Sequence, residues 1–163
     1  MKILITIILF TFTLSLASCG GYPNRDHPLS ELASIVSGDS ITIPPLSFPF
    51  RKFSCLDTTI LEAQQKHKKV LLYFTGKFCI FARIMETKVF TDSSIQSVLS
   101  KDYVAYAIII DNRSLEGKQN ASFQLLQFNA NSLPFFALLD ERGNTIRTLS
   151  FTSDKSAFSD FIK

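Results

Sequence analysis

Three cysteines, Cys19, Cys55 and Cys79, are the side chains of this 163-residue chain best suited to chemistry. No pair of them has the spacing of a zinc knuckle or a neighbouring dithiol. Cys79 has the most informative surroundings. Val70 to Phe74 is an apolar run that reads as a buried strand, and Thr75, Gly76 and Lys77 form a tight turn after it. Phe81, Ile84, Met85 and Val89 then recur at helical spacing, so Cys79 falls in the first turn of a helix with these residues inward. Free backbone N–H groups and the positive end of a helix favour a thiolate at such a place, and Lys77 and Arg83 add positive charge. The chemistry implied is that of a sulfur nucleophile. The competing reading is a half-buried cysteine that serves only as packing.

No other constellation of residues stands out. His27 and His67 have no partner at metal-ligand spacing, and Glu86, Asp102, Asp111 and Asp140 are scattered. The residues imply no metal and no cofactor. Formal net charge is only +3, and no run of Lys or Arg is interleaved with stacking aromatics, which argues against a nucleic-acid partner. Phenylalanine is abundant, with 16 copies against no tryptophan, so a Phe-rich core is expected.

The N-terminus reads as a targeting segment. Lys2 supplies the charged start, and Ile3 to Leu16 is apolar but short for a membrane span, which needs about 20 residues. Leu16-Ala17-Ser18-Cys19 resembles the lipobox of bacterial lipoproteins. That resemblance implies a signal peptide over residues 1–18, with Cys19 lipid-modified and left as the new N-terminus. The chain would then be anchored to a membrane without spanning it. By the same resemblance, Gly20 rather than an aspartate after Cys19 implies the outer membrane, periplasmic side. The plainer alternative is an ordinary secretory signal followed by an unmodified cysteine. Residues 19–52 carry Pro23, Pro28, Pro44, Pro45 and Pro49 and read as a tether whose part nearest Phe50 packs down on the domain, with a helical turn or two over Leu29 to Val36 and an edge strand at Ser40 to Ile43.

A single domain is expected over residues 53–163. Ser54 and Asp57 fit a capping box for a helix from Cys55 to His67, with Leu56, Ile60 and Ala63 inward. Asp92 caps a short helix with Ile95, Val98 and Leu99 inward. Tyr103 to Ile110 is a central strand, and Ala121 to Phe128 is helical. Pro134 opens an apolar strand, where a proline costs no ladder hydrogen bond. Glu141-Arg142-Gly143-Asn144 turns the chain into a last strand, Thr145 to Phe151, and Ser153 caps a final helix with Phe158, Phe161 and Ile162 on one side.

Phe74-Thr75-Gly76, Cys79, Arg83 and Met85-Glu86, followed by Leu133-Pro134 before a hydrophobic hairpin, resemble the thioredoxin-like superfamily. The likeness is to the branch that includes the C-terminal domain of bacterial thiol:disulfide interchange reductases. It implies an α/β thioredoxin-like fold, a central mixed β-sheet flanked by helices. The second motif cysteine is replaced by Ala82, and Tyr73 stands where many such proteins keep a buried aspartate. By this resemblance Cys79 would be the catalytic nucleophile. Phe78, Leu133 and Pro134 would contact substrate, and the Leu133–Pro134 bond would be cis. Partners would be thiols or disulfides of exported proteins, with a small thiol or second protein completing the cycle. Cys55 is an alternative resolving thiol, since the first helix starts at the same end of the sheet as Cys79. A redox-inactive binding module on the same fold is the remaining reading.

Overall fold

The computed structural model describes residues 50–110 and 113–163. All of them fall in the compact unit spanning Gly38–Lys163. The signal segment, the Cys19 lipobox and the elements expected before Phe50 lie outside the described residues.

Ten elements follow in order: β1 (Arg51–Lys52), α1 (Leu56–Lys66), β2 (Lys69–Gly76), α2 (Ile80–Lys88), α3 (Ser93–Asp102), β3 (Tyr103–Ile110), α4 (Leu115–Phe128), β4 (Phe135–Leu139), β5 (Thr145–Ser150) and α5 (Lys155–Ile162). The strands form one mixed sheet in the order β1-β3-β2-β4-β5. β1 and β2 run parallel to β3; β4 runs antiparallel to β2 and β5 antiparallel to β4. Helices cover both faces, so β2 is apolar along nearly its whole length rather than alternating with polar residues.

The period of two along each strand sorts the core into two layers. Leu71, Tyr73, Ala105, Phe136 and Leu138 face α2, α3 and α5. Leu72, Phe74, Ile108, Phe135 and Ala137 face α1 and α4. The expected phenylalanine core is present on both sides. Tyr73 and Phe136 stack at 4.9 Å, and Phe136 also meets Phe90, Phe158 and Phe161.

Several boundaries differ from the sequence reading, each for a local reason. Phe50 is buried against Tyr73 and Phe90, in line with the expectation that the chain nearest it packs down, but the two residues after it form β1, paired with β3, where no strand was expected. The capping box at Ser54 does not form. Ser54 Oγ meets Thr58 Oγ1 at 3.1 Å instead, and Cys55 is the N-cap of α1 without a side-chain cap bond. α4 starts well before Ala121, because Ser114 Oγ accepts from the Gly117 N–H at 3.0 Å. Asp154, not Ser153, caps α5, while Asp92 caps α3 as expected. The inward face of α2 is Ala82, Met85 and the following Val89, leaving Phe81 outward.

The two-residue β1 is tied down by a polar cluster. Glu62 of α1 accepts from Arg51 Nη1 at 2.7 Å, from Lys66 Nζ at 2.6 Å and from the Tyr106 hydroxyl. Arg51 also lies 4.7 Å over the Tyr106 ring. Partial burial pushes the Glu62 carboxyl up, but the hydrogen bonds from Arg51, Lys66 and Tyr106 outweigh it and hold the group at about 2, against an ordinary 4.5. A carboxyl held below its unfolded value stabilises the fold above that value, and the gain is lost as pH falls through the window toward the folded value. Thermal melts from pH 4.5 down to pH 2 should therefore show a shallower loss of stability in Glu62→Gln than in wild type. Solvent screening limits the difference to about 1 kcal/mol. Identical slopes would mean that the cluster contributes nothing.

Candidate functional site

The site is built where β2 ends. Cys79 is the N-cap of α2, in an extended conformation (φ −78°, ψ 106°) with no side-chain cap bond. Its N–H donates to the Gly76 carbonyl at 3.2 Å, closing the turn, and its carbonyl accepts from the Arg83 N–H at 3.2 Å, opening the helix. Cys79 is half-buried, packs against the layer that holds Tyr73 and Met85, and is a free thiol.

The proline loop reaches the same end of the sheet by register. Phe74 of β2 pairs with Phe135 of β4, so Leu133 and Pro134 stand beside Thr75 and Gly76. The Leu133–Pro134 bond is cis, as the resemblance implied. A Cβ placed on Gly76 would lie 3.3 Å from Leu133 Cδ1 and 3.6 Å from Cys79 Cβ. The glycine is what lets the thiol turn and the proline loop approach each other this closely. Of the residues expected to contact substrate, Phe78 is exposed, Leu133 is half-buried and Pro134 is buried.

One residue that holds this geometry was not singled out from sequence. Gln124 of α4 is 1% exposed and donates through Nε2 to the Ser132 carbonyl at 2.9 Å, pinning the loop just before Pro134. A glutamine inside a polar helix gives no outward sign of that task.

Beneath the thiol turn lies a second polar group. The Tyr73 hydroxyl donates to Glu86 Oε1 at 3.0 Å, and Arg83 Nη2 donates to the same oxygen at 2.7 Å and to Thr75 Oγ1 at 3.4 Å. Burial pushes the Tyr73 phenol well above its ordinary value, so it is a hydrogen-bond donor at neutral pH and not a base. Burial also raises the Glu86 carboxyl, while the Arg83 guanidinium pulls the other way.

Cys55 and Cys79 are not joined. α1 and α2 lie on opposite faces of the sheet, with Leu56 and Ala63 in one layer and Cys79, Ala82 and Met85 against the other. Sharing one end of the sheet does not bring the two cysteines together, because the sheet stands between their helices. Ala82, fully buried, occupies the position one helical turn after Cys79. Among the described residues no group of His, Cys, Asp or Glu could hold a metal ion, and no helix is long and apolar enough to cross a membrane.

Comparison with known proteins agrees with the fold. The model of a thioredoxin-like domain matches residues 56–162. Among solved structures, the chain is similar to a DsbH oxidoreductase, with 18% identity, a TM-score of 0.58, and coverage of 78% of this chain and 92% of that one. It is similar to a thioredoxin from Thermus thermophilus, with 18% identity, a TM-score of 0.54, and coverage of 68% and 83%. The oxidised DsbD C-terminal domain of Neisseria meningitidis matches with 13% identity, a TM-score of 0.52, and coverage of 64% and 87%. No curated protein sequence matches the chain. With the thiol-bearing turn, the cis proline and the mixed five-stranded sheet in place, the match over most of the chain means that this protein belongs to the thioredoxin-like domain family.

Proposed function

We propose that this protein is a lipid-anchored thioredoxin-like protein of the bacterial cell envelope, in which Cys79 carries out thiol–disulfide exchange with exported proteins. The observation that carries the reading is a free thiol at the N-cap of α2 beside a cis proline loop. In the first step the Cys79 thiolate attacks one sulfur of a partner disulfide. A Cys79–partner disulfide forms, and the partner's other sulfur leaves as a thiolate. Ala82 has no sulfur, so a separate thiol, either a small molecule or a second protein, must attack the mixed disulfide and release Cys79. The partner is held as an added strand along the Leu133–Pro134 backbone, with Phe78 over it.

A redox-inactive binding module is the second reading. It is favoured by Ala82 at the motif position and by the half-burial of Cys79. Alkylation separates the two. In the exchange reading, native protein with a Cys79→Ser control loses its Cys79 thiol to iodoacetamide within minutes. A thiol that is modified only after denaturant is added ends that reading. The anchor at Cys19 is tested by metabolic labelling with a palmitate analogue. The label should appear in the envelope fraction and be absent from Cys19→Ala.

A further inference from the structure

Phe78, Phe81 and Phe151 are the phenylalanines exposed among the described residues, at 65%, 53% and 37%, in a domain whose other phenylalanines are withdrawn from solvent. All three stand around one thiol. Phe78 and Phe81 flank Cys79 in sequence, and Phe81 meets Phe151 with ring centroids 4.8 Å apart. Phe151 follows Ser150, the register partner of Phe135, so it stands at the end of the sheet that carries Pro134. Ile80, at 72% exposure, extends the same surface. The packing of α2 explains why these side chains are outward: Ala82 and Met85 face the sheet, which turns residues 80 and 81 away from it. Nothing in the core needs Phe81 and Phe151, and leaving large apolar rings in water is unfavourable.

We propose that Phe81 and Phe151 form an aromatic ledge that selects extended polypeptide segments carrying an apolar or aromatic residue next to their cysteine. This deepens the exchange reading above and rests on it. The occupant is a polypeptide segment because the ledge is continuous with the proline loop and with Cys79. Only an extended chain reaches a half-buried sulfur while laying a neighbouring side chain on rings to one side of it. The partner's cysteine meets Cys79, and the adjacent apolar side chain covers the Phe81–Phe151 pair. Because no neighbouring thiol releases Cys79, contacts on the ledge also lengthen the time for which the partner is held.

The test uses the full chain carrying Cys19→Ser and three cysteine peptides, each as its mixed disulfide with thionitrobenzoate. The peptides differ only in the residues flanking cysteine: phenylalanine, glycine or aspartate. Release of the coloured thiolate gives the rate for the peptides, with Cys79→Ser as blank; cystamine, a small disulfide that cannot reach the ledge, is followed by the mass gained when cysteamine joins Cys79 and the other cysteamine leaves as its thiolate. The Phe-flanked peptide should react about tenfold faster than the Gly-flanked one, and Phe81→Gln with Phe151→Gln should remove that advantage while leaving cystamine unchanged. Equal rates for all three peptides, or an equal slowing of cystamine in the variants, would overturn the ledge while leaving exchange at Cys79 standing. If wild type fails even with cystamine, the exchange reading falls. The ledge is then judged by fluorescence anisotropy with the serine-for-cysteine peptides, where loss of the Phe preference overturns it. Sedimentation of the same chain with phosphatidylethanolamine–phosphatidylglycerol vesicles, abolished by the two Gln substitutions, would instead assign the rings to a membrane surface and overturn the proposal.

Discussion

If Cys79 exchanges disulfides as proposed, Ala82→Cys is expected to speed its turnover, and to do so only while Cys79 is present. Residue 82 lies one helical turn after the N-cap Cys79, and side chains three apart on a helix are neighbours. Both pack against the same core layer. A thiol introduced there could attack a mixed disulfide on Cys79, forming an internal disulfide between Cys79 and the new sulfur and releasing the partner as a thiol. Reduction of insulin disulfides, with dithiothreitol or glutathione as the terminal reductant, should rise at least about tenfold over wild type, since resolution no longer waits for a collision with a second molecule. Cys79→Ser should be inactive in both backgrounds. The added sulfur enters a fully buried position, so a stability loss of about 1 kcal/mol is expected alongside the gain. A stable Ala82→Cys protein with no gain would mean that residue 82 does not stand over Cys79 as the helix start implies.

The largest stability effect is expected at Phe136. This ring stacks on Tyr73 at 4.9 Å and meets Phe158 at 5.2 Å, Phe90 at 5.9 Å and Phe161 at 6.4 Å. It therefore joins β2, β4, α5 and the segment after α2 in one contact. Phe136→Ala removes all four contacts and leaves a cavity that rigid strand neighbours cannot close, at a cost of about 3–5 kcal/mol. That is a large part of the stability of an ordinary domain, about 5–15 kcal/mol. Urea unfolding followed by far-UV circular dichroism measures it. Phe151→Ala, at an exposed ring, should change stability by no more than about 0.5 kcal/mol in the same assay. A loss below about 1 kcal/mol at Phe136 would mean that the aromatic layer is not what closes this face of the sheet.

Much of the scaffold could be read from residue pattern. The apolar runs Val70–Phe74 and Tyr103–Ile110 lack alternation because helices cover both faces, and that is the signature of inner strands. Asp92 marked its helix start because a short side-chain oxygen there meets an orphan N–H, that of Ser94 at 3.0 Å. Other helix starts differ from the sequence reading for the same kind of local reason. At α1 the hydroxyl of Ser54 finds Thr58, and at α4 the true cap, Ser114, lies in a polar stretch with no apolar period to mark it. The face of α2 differs because hydrophobicity alone ranks Phe81 above Ala82. Close approach to the sheet favours the smaller side chain inward and leaves the larger one out.

On its own the sequence determined the order of strands and helices from α1 onward, the thiol at a strand-to-helix turn, and an alanine rather than a cysteine at residue 82. These are local matters of residue type and spacing along one segment. Only the tertiary structure decided what stands beside that thiol. The register of β4 on β2 brings Leu133 and the cis Pro134 to Gly76, which lies far from them along the chain. The sheet also separates Cys55 from Cys79, although their helices start at the same end, and the end of β5 carries Phe151 onto Phe81. The physical reason is that pairing between distant strands is set by burial of both faces at once, a condition on the whole chain that no single segment carries.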